Sequence, residues 1–296
     1  MIVALTGGTG FLGGHVLNQL IARGHDVRAL ARSPQPERTG VTWVAGDLEN
    51  PGNLCHQAEA IIHVAGVVNA DAATFDRGNR QGTETMLAAA QAANIGRFVH
   101  ISSLSARAPE LSLYGASKRA AEDAVVASSL DWCVIRPPAI YGPGDTDNLE
   151  LFRFAKRGIM PLPPKGRLSA IHAEDLARLS VVMAESAPSR AFCEADDGQP
   201  EGWSHKEYAR MIGAAVGRNP LTMALPKAAL NLGAVLDGML RGPKAKLTRD
   251  RVSYMTHPDW VIDPAKRPPE ALWTPKIPTP AGLKATAEWY RAKGWL

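Results

Sequence analysis

Two residues with the chemistry of an acid–base pair, Tyr114 and Lys118, stand four positions apart in the segment LYGASKRAAEDAV. They fall at the start of a predicted helix, where residues i and i+4 share one face. An ordinary tyrosine, with a pKa near ~10, transfers protons poorly at neutral pH. A neighbouring ammonium stabilises the phenolate, lowers the tyrosine pKa and can also hold a cofactor ribose. The pair therefore predicts proton transfer at a carbonyl or alcohol, although the spacing alone also occurs by chance in many helices.

A glycine-rich turn, GGTGFLG, follows the apolar run at the amino terminus and precedes a stretch with helical spacing. This order of strand, G-x-x-G-x-x-G and helix is the context in which glycines let a pyrophosphate approach the backbone. The free N–H groups and partial positive charge of the helix start then bind the phosphates. The pattern predicts dinucleotide binding by residues of the turn, namely Gly7, Thr9, Gly10, Phe11, Leu12 and Gly13.

The second apolar run ends in Ala31 and Arg32 rather than in an acid. An NAD site commonly has Asp or Glu here, accepting hydrogen bonds from the adenosine ribose. A guanidinium instead suits a 2′-phosphate through charge-assisted hydrogen bonds, and Arg28 lies on the same strand. The sequence thus favours NADP over NAD; the competing interpretation is that Arg32 is a solvated charge at the strand end.

Apolar runs alternate with helical stretches over the first 140 residues, which predicts an α/β fold with a Rossmann-type, doubly wound parallel sheet. A strand near 191–195 completes the pattern. We expect strands at residues 2–6, 27–31, 41–45, 60–64, 97–102 and 132–136, and later helices at 82–93 and 117–128.

Proline-rich turns and most of the tryptophans lie beyond the strand–helix alternation. We therefore expect a dinucleotide-binding domain over residues 1–140, with about 165–195, and a smaller substrate-binding lobe over 196–296, with about 141–164.

Together these motifs resemble the extended short-chain dehydrogenase/reductase family, also called the NAD-dependent epimerase/dehydratase family. The resemblance spans residues 6–177 with family-like spacing. It is carried by TGGTGFLG at 6–13, GDL at 46–48, HVAG at 63–66, GNRQGT at 78–83, ISS at 101–103, YGASK at 114–118, RPPAIYGPGD at 136–145 and IHAEDLA at 171–177.

For the cofactor, the resemblance implies that Asp47 and Leu48 contact the adenine and that Pro137 lies beside the nicotinamide. It also implies that the end of the fourth strand lines the cofactor path, through Val64, Ala65 and Gly66.

For the chemistry, the resemblance implies that Tyr114 is the proton donor or acceptor and that Lys118 is its electrostatic partner, which also contacts the cofactor. Ser103 would hydrogen-bond the same substrate oxygen, with Ser102 and Ser105 as competitors. Asn79 matches a helix-borne asparagine of the family, and a purely structural role is as good an interpretation.

The carboxyl-terminal GLKATAEWYRAKGWL resembles the dihydroflavonol-reductase and 3β-hydroxysteroid-dehydrogenase-like branch. This predicts an NADP-dependent oxidoreductase that exchanges hydride with a ketone or secondary alcohol on a fairly apolar small molecule. The alternative is a nucleotide-sugar epimerase with tightly bound NAD. The short, apolar segment between Ser103 and Tyr114 speaks against a sugar-nucleotide substrate, and the absence of a carboxylate at 102–105 speaks against dehydration.

Residues 225–240 form an apolar stretch, and residues 241–251 hold five basic side chains and one acid. Two interpretations stay open. The segment is either a lid for a hydrophobic substrate that touches a membrane surface, or a packed helix followed by a solvated basic loop.

The net charge, the cysteines and the most apolar stretch of the sequence indicate which partners and sites to expect. A net charge of +4 is too small to indicate a nucleic-acid partner. Three cysteines without CxxC spacing predict reduced thiols in a cytoplasmic protein, with no disulfide and no metal site. Charges and a proline interrupt the most apolar stretch, so we expect no transmembrane segment. By analogy with the family, the helices at 82–93 and 117–128 permit a homodimer.

Overall fold

The computed structural model describes residues 1–186, 188–242 and 245–296. Its strands are Ile2–Thr6 (β1), Asp26–Ala31 (β2), Val41–Ala45 (β3), Ala60–His63 (β4), Arg97–Ile101 (β5), Asp131–Ile135 (β6), Ala139–Tyr141 (β7), Ile159–Leu162 (β8), Arg167–Leu168 (β9), Ala170–His172 (β10), Ala191–Cys193 (β11), Trp203–Ser204 (β12), Leu221–Ala224 (β13) and Asp259–Trp260 (β14).

The α-helices are Phe11–Ala22 (α1), Ala72–Phe75 (α2), Gly82–Ala92 (α3), Leu113–Ala127 (α4), Leu149–Lys156 (α5), Ala173–Ser186 (α6), His205–Ala215 (α7), Lys227–Arg241 (α8), Arg249–Met255 (α9) and Thr279–Ala292 (α10). A π-helical segment, Asp76–Gln81, joins α2 to α3, and short 3-10 turns cover Leu104–Arg107, Pro109–Leu111 and Pro264–Lys266.

The chain divides into two compact units. Unit 1 comprises Met1–Pro137, Glu174–Ala195 and Lys266–Thr274, and unit 2 comprises the three intervening and terminal segments, Pro138–Ala173, Asp196–Ala265 and Pro275–Leu296. Residues 165–173, expected with the dinucleotide-binding domain, therefore lie in unit 2. Residues 266–274, expected with the other lobe, lie in unit 1, where the backbone N–H of Glu194 donates to the carbonyl oxygen of Lys266 at 2.9 Å.

Unit 1 is built on a seven-stranded sheet in the order β11-β6-β5-β4-β1-β2-β3, and every neighbouring pair is parallel. The predicted α/β class and parallel sheet are confirmed. The inner strands β1 and β4 are almost wholly buried because helices cover both faces of such a sheet. Their carboxyl ends therefore meet at one edge, where ligands bind in open α/β folds.

Helix α4 begins at Leu113, four residues before the expected start at 117. The reason is a serine cap, since the Ser112 hydroxyl oxygen accepts a hydrogen bond of 2.9 Å from Gly115 N. Serine at this position satisfies a backbone donor that the first helical turn leaves unpaired. The earlier start places Tyr114 inside the helix.

Unit 2 has three small sheets, β7 with β10, β12-β9-β14, and β8 with β13. Its core is aromatic and aliphatic and includes Tyr141, Phe152, Ile212, Leu283 and Tyr290, each at most 1% exposed. Among the described residues, no helix combines the length and the apolar character that crossing a bilayer requires.

Candidate active site

The glycine turn closes tightly between β1 and α1. Gly7 has a φ of +75°, and a Cβ there would lie 2.8 Å from the backbone nitrogen of Ala65. A Cβ on Gly13 would lie only 1.9 Å from the carbonyl oxygen of Gly7. Both positions therefore exclude a side chain. Gly7 does so because of its positive φ and the nearby Ala65, and Gly13 because the helix packs directly on the turn.

The start of α1 suits a pyrophosphate. Gly10 occupies the N-cap position without a side-chain cap, and the first turn holds no acidic residue. The turn is held by Gly10 N, which donates to Gly7 O at 2.9 Å. Within the described residues, no side-chain oxygen caps this helix, so its first-turn N–H groups and their partial positive charge can bind an anion. The cradle thus fits the dinucleotide that the sequence predicts.

The ends of β2 and β3 hold the residues expected at the adenosine end of a cofactor. Arg32 is exposed and forms no ion pair within the described part of the chain. Arg28 is already engaged, since its guanidinium donates to the carbonyl oxygens of Asn53 and Leu54 at 2.7 and 3.1 Å. Of the two strand arginines, Arg32 is therefore the one available to a ligand.

The loop after β3 lies beside the end of β2, because Gly46 N donates to Ala31 O at 3.1 Å. Asp47 shapes this loop, and its carboxylate accepts hydrogen bonds from Glu49 N and Asn50 N at 2.9 and 2.8 Å. Leu48 packs against the start of α3. A Cβ on Gly82, the first residue of that helix, would lie 2.8 Å from Cδ1 of Leu48. Arg32 and these two residues therefore share one corner of the sheet edge.

A buried hydrogen-bonded chain supports the end of β4. The Thr6 hydroxyl oxygen accepts from Ala65 N at 3.1 Å and is 2.8 Å from His63 Nδ1. On the other side, His63 Nε2 is 3.1 Å from the Thr83 hydroxyl oxygen, and that hydroxyl donates to Asn79 O at 2.6 Å. Since the Thr83 proton is already used, His63 Nε2–H must donate and Nδ1 must accept from Thr6.

This series of hydrogen bonds requires a neutral imidazole at His63, and the buried environment of the ring also favours the neutral form. Burial, and to a smaller extent the charge of Lys118, lowers the pKa of His63 to about 3. His100 stacks on His63 with ring centroids 5.4 Å apart, and its pKa lies well below the usual range, because of burial first and then the charge of Lys118. Two neutral imidazoles thus lie within the sheet beneath the candidate site.

Asn79 clamps the loop that follows β4. Its Oδ1 accepts from Val67 N at 2.7 Å, and its Nδ2 donates to Val67 O at 3.0 Å and to the Ser117 hydroxyl at 2.8 Å. A Cβ on Gly66 would lie 3.0 Å from Asn79 Oδ1 and 3.7 Å from Lys118 Nζ. The clamp therefore fixes Gly66 beside the lysine of α4, which favours the structural interpretation of Asn79.

Lys118 lies beneath the first turns of α4, only 5% exposed. Its ammonium donates a hydrogen bond of 2.7 Å to the carbonyl oxygen of Ile101. Burial lowers the pKa of Lys118 and the charge of Glu122 partly offsets that effect, which leaves the pKa at about 8. Tyr114, one turn earlier, is half-buried, and its ring centroid is 5.9 Å from that of Phe75. The tyrosine therefore keeps an accessible side, while the lysine is enclosed.

The three candidate serines have different surroundings. Ser102 is buried and donates to Glu122 Oε1 at 2.6 Å. Ser103 is half-buried; its hydroxyl is 2.9 Å from that of Ser105 and accepts from Ser105 N at 3.2 Å. A Cβ on Gly115 would lie 2.7 Å from Ser105 O, so this turn touches the start of α4. Ser102 thus belongs to the interior, which leaves Ser103 as the better-placed candidate.

Glu122 and Arg136 form a buried ion pair that the sequence analysis missed. Arg136 Nε and Nη2 donate to the two carboxylate oxygens of Glu122 at 2.8 and 2.6 Å. Glu122 stands one helical turn after Lys118 on the buried face of α4, and this buried acid was the available signal. The pair lies at the end of β6, next to Pro137, whose carbonyl oxygen accepts from Leu104 N at 3.0 Å.

Comparison with known proteins agrees with this geometry. The model of the NAD dependent epimerase/dehydratase family matches residues 3–192. Ceramide reductase of Caulobacter vibrioides is 37% identical, in an alignment that covers 100% of this chain and 96% of that protein. The 2-alkyl-3-oxoalkanoate reductase of Stenotrophomonas maltophilia is 29% identical, over 96% of this chain and 98% of that protein.

Solved structures share the fold at low identity. WbmG of Bordetella bronchiseptica, in complex with NAD, superposes with a TM-score of 0.76 at 20% identity, over 100% of this chain and 95% of that one. MoeE5, in complex with UDP-glucose and NAD, gives a TM-score of 0.76 at 20% identity over 99% of both chains.

The family match extends over well over half of the chain and includes the glycine turn, the Asn79 segment and the Tyr114–Lys118 helix. The resemblance inferred from the sequence motifs is thereby confirmed. This chain belongs to the NAD-dependent epimerase/dehydratase family and is an NAD(P)-dependent enzyme of the extended short-chain dehydrogenase/reductase type.

Proposed function

We propose that this enzyme is an NADP-dependent ketoreductase that acts on a ketone, or in reverse on a secondary alcohol, carried by a molecule with long apolar chains. The observation that carries the proposal is the arrangement on α4, with an accessible Tyr114 one turn from a buried Lys118. Unit 2 is proposed to bind the apolar part of the substrate.

In this proposal the dinucleotide, when bound, supplies the hydride that reaches the carbonyl carbon. Tyr114 gives its phenolic proton to the substrate oxygen, so that a ketone becomes an alcohol. The Lys118 ammonium, held by the Ile101 carbonyl, stabilises the phenolate that remains. Ser103 donates a hydrogen bond to the same oxygen and aligns it. The chain's own contribution is thus orientation and charge stabilisation.

NADP rather than NAD is proposed because of the charge at the end of β2. Arg32 is exposed and has no acidic partner in the described residues, so its guanidinium can bind a 2′-phosphate through paired hydrogen bonds. No acid stands at the end of β2 to accept hydrogen bonds from the ribose hydroxyls.

The substrate class is supported by the relatives. The name of the relative from Caulobacter vibrioides refers to ceramide, and that of the relative from Stenotrophomonas maltophilia to 2-alkyl-3-oxoalkanoates. Both names denote reductases, and both denote molecules with alkyl chains. The apolar segment between Ser103 and Tyr114 is compatible with such a substrate.

A second candidate function is nucleotide-sugar epimerisation with NAD. It is favoured by the fold shared with MoeE5, whose structure holds UDP-glucose and NAD. At 20% identity this likeness concerns the fold alone, and we therefore rank it second.

The first test is a fluorescence titration with NADPH and NADH of the wild type, Arg32→Ala and Arg28→Ala. We expect the wild type to prefer NADPH and Arg32→Ala to lose roughly tenfold or more of that preference, about the free energy of one charged hydrogen bond. Arg28→Ala should leave the preference unchanged, because that guanidinium donates to backbone carbonyls. Equal binding of both cofactors by the wild type would overturn the NADP assignment.

Reduction is tested separately, by following NADPH or NADH oxidation with a long-chain 3-oxo substrate. Turnover of this ketone supports the ketoreductase, whichever cofactor is preferred. No turnover, together with epimerisation of UDP-glucose, would place the second candidate first.

A further inference from the structure

Helix α8 in unit 2 presents an apolar face to solvent. Leu232, Leu236, Met239 and Leu240 are 62, 51, 77 and 85% exposed. Their spacing of four, three and one residues keeps them on one side of the helix. On the opposite side of the helix, Leu230 and Ala234 are buried in a small cluster with Val252 of α9. We call the four exposed residues the α8 face; a packed surface helix would direct such side chains inward instead.

The strand that leads into α8 is also apolar and exposed. Leu221 and Met223 of β13 are 65 and 44% exposed, and Ile159 of β8, paired in register with Leu221, is 48% exposed. The backbone hydrogen bond from Leu225 N to Leu162 O, 2.9 Å long, fixes the chain just before the helix begins. Exposed apolar side chains thus occur in two successive elements, β13 and α8. Such a cluster differs from the single, scattered apolar residues that are ordinary on protein surfaces.

Positive charge is concentrated in the same stretch of chain. Residues 218–251 contain seven basic side chains and two acidic ones, an excess of five, whereas the whole chain has a net charge of only +4. Lys227 and Arg241 stand at the two ends of α8. Lys244, one of the seven, and Pro243 lie outside the described residues.

The one acid on α8 is already used within the chain. Asp237 Oδ2 accepts from Lys246 N and Leu247 N at 2.8 and 2.9 Å, and its Oδ1 lies 3.2 Å from Arg241 Nε. This carboxylate therefore stabilises the turn after the helix, and its interactions are made within the chain.

We propose that the α8 face docks on the surface of an anionic phospholipid bilayer. An apolar stripe flanked by Lys and Arg combines burial of leucines among acyl chains with attraction to acidic headgroups. A second copy of this chain is a poorer occupant, because two such faces would bring together two segments with excess positive charge. The fifteen residues of α8 span roughly 22 Å, less than the ~30 Å of a hydrocarbon core, so the helix lies along the surface.

The test uses flotation of the full-length protein with vesicles of phosphatidylcholine alone or of equimolar phosphatidylcholine and phosphatidylglycerol. The wild type should float with the anionic vesicles, and high salt should release most of it. The double variant Leu236→Ser/Met239→Ser should bind at least roughly tenfold more weakly, since two side chains no longer enter the acyl region. Val126→Ser, an exposed apolar residue of α4, is the matched control and should bind like the wild type.

A variant with reversed charges tests the electrostatic part of the proposal. Lys227→Glu/Arg241→Glu should lose the preference for anionic vesicles, and circular dichroism should show that all variants keep the wild-type fold. Failure of the wild type to float with anionic vesicles would overturn the proposal, as would flotation unchanged in both double variants. If the α8 substitutions instead convert a dimer to a monomer in sedimentation velocity without vesicle binding, the occupant is a second copy. None of these measurements depends on the proposed reaction.

Discussion

The ammonium of Lys118 donates a hydrogen bond of 2.7 Å to the carbonyl oxygen of Ile101, the last residue of β5. This bond joins the helix that holds Tyr114 to the carboxyl edge of the central sheet. Because the acceptor belongs to the backbone, the lysine position depends on the sheet rather than on another mobile side chain. The charge is also enclosed, which lowers the pKa of Lys118 to about 8.

Replacement of Tyr114 by phenylalanine should remove the proton donor and leave the packing against Phe75 in place. We expect kcat to fall by about 10²- to 10⁴-fold, the usual contribution of a general acid, with little change in the dissociation constant of NADPH. Steady-state oxidation of NADPH and a fluorescence titration measure the two quantities. Tyr254→Phe, on α9, serves as the control and should keep full activity. Unchanged kcat in Tyr114→Phe would refute its role as the acid.

The buried Lys118 should make the free energy of unfolding depend on pH in the alkaline range. Its pKa is about 8 in the folded protein against 10.5 for the free side chain, so between these values the unfolded chain binds more protons and stability rises with pH. Relative to Lys118→Met, the wild type should gain up to about 3 kcal/mol across this window.

Urea unfolding of both proteins at about pH 7.5 and about pH 10 measures this difference. Lys206→Met, which removes an exposed lysine of α7, should follow the wild type at both pH values. A constant gap between the wild type and Lys118→Met would show that the lysine is not desolvated as the structure indicates.

The two neighbouring glycines at the start of α1 offer a matched pair. A Cβ on Gly13 would lie 1.9 Å from Gly7 O, whereas one on Gly14 would lie 4.0 Å from Gly8 O. Gly13→Ala should therefore destabilise the protein by about 1–3 kcal/mol or more and weaken NADPH binding. Gly14→Ala should be tolerated and stabilise the helix by up to about 1 kcal/mol. Thermal unfolding with and without NADPH distinguishes the two, and equal behaviour of both variants would contradict the tight turn.

His63 should make the protein sensitive to acid. Its pKa is about 3 in the folded state against 6.5 when exposed, so the unfolded chain takes up the proton first and stability is lost as the pH falls from about 6.5 towards 3. The free energy of unfolding of His63→Gln should fall less over this range. Its value near neutral pH should be lower than that of the wild type, because the hydrogen bonds that link Thr6 to Thr83 through residue 63 are lost. His56→Gln, at an exposed position, should keep the wild-type slope. Urea midpoints at several acidic pH values provide the comparison.

Much of unit 1 could be predicted because its signals are local. A glycine turn between an apolar run and a helical stretch already specifies a strand, a turn and a helix, and the period of apolar residues specifies the remaining strands. The start of α4 was placed four residues late, since the expectation began at Ser117 and overlooked Ser112 as a cap. Capping serines are local signals too, so this boundary was within reach of the sequence.

The supports of the candidate site could not be predicted in the same way. The bonds of Asn79 to Ser117 and of Lys118 to Ile101 join residues 38 and 17 positions apart, and no periodic pattern specifies such partners. Likewise, the protonation of His63 depends on which of two threonines has already used its proton. These features become defined only when the sheet brings distant segments together.

Unit 1 is assembled from three separate segments, and this has a consequence for synthesis on the ribosome. When residues 1–137 have emerged, β6 still lacks its neighbour β11, and the guanidinium of Arg97 lacks the carbonyl oxygen of Met183, to which it donates at 2.7 and 2.8 Å. The last segment, Lys266–Thr274, is translated only after the preceding 265 residues. The edge of β6 is therefore unpaired while residues 138–190 are translated, and a chain interrupted anywhere before residue 266 leaves the nucleotide-binding unit incomplete.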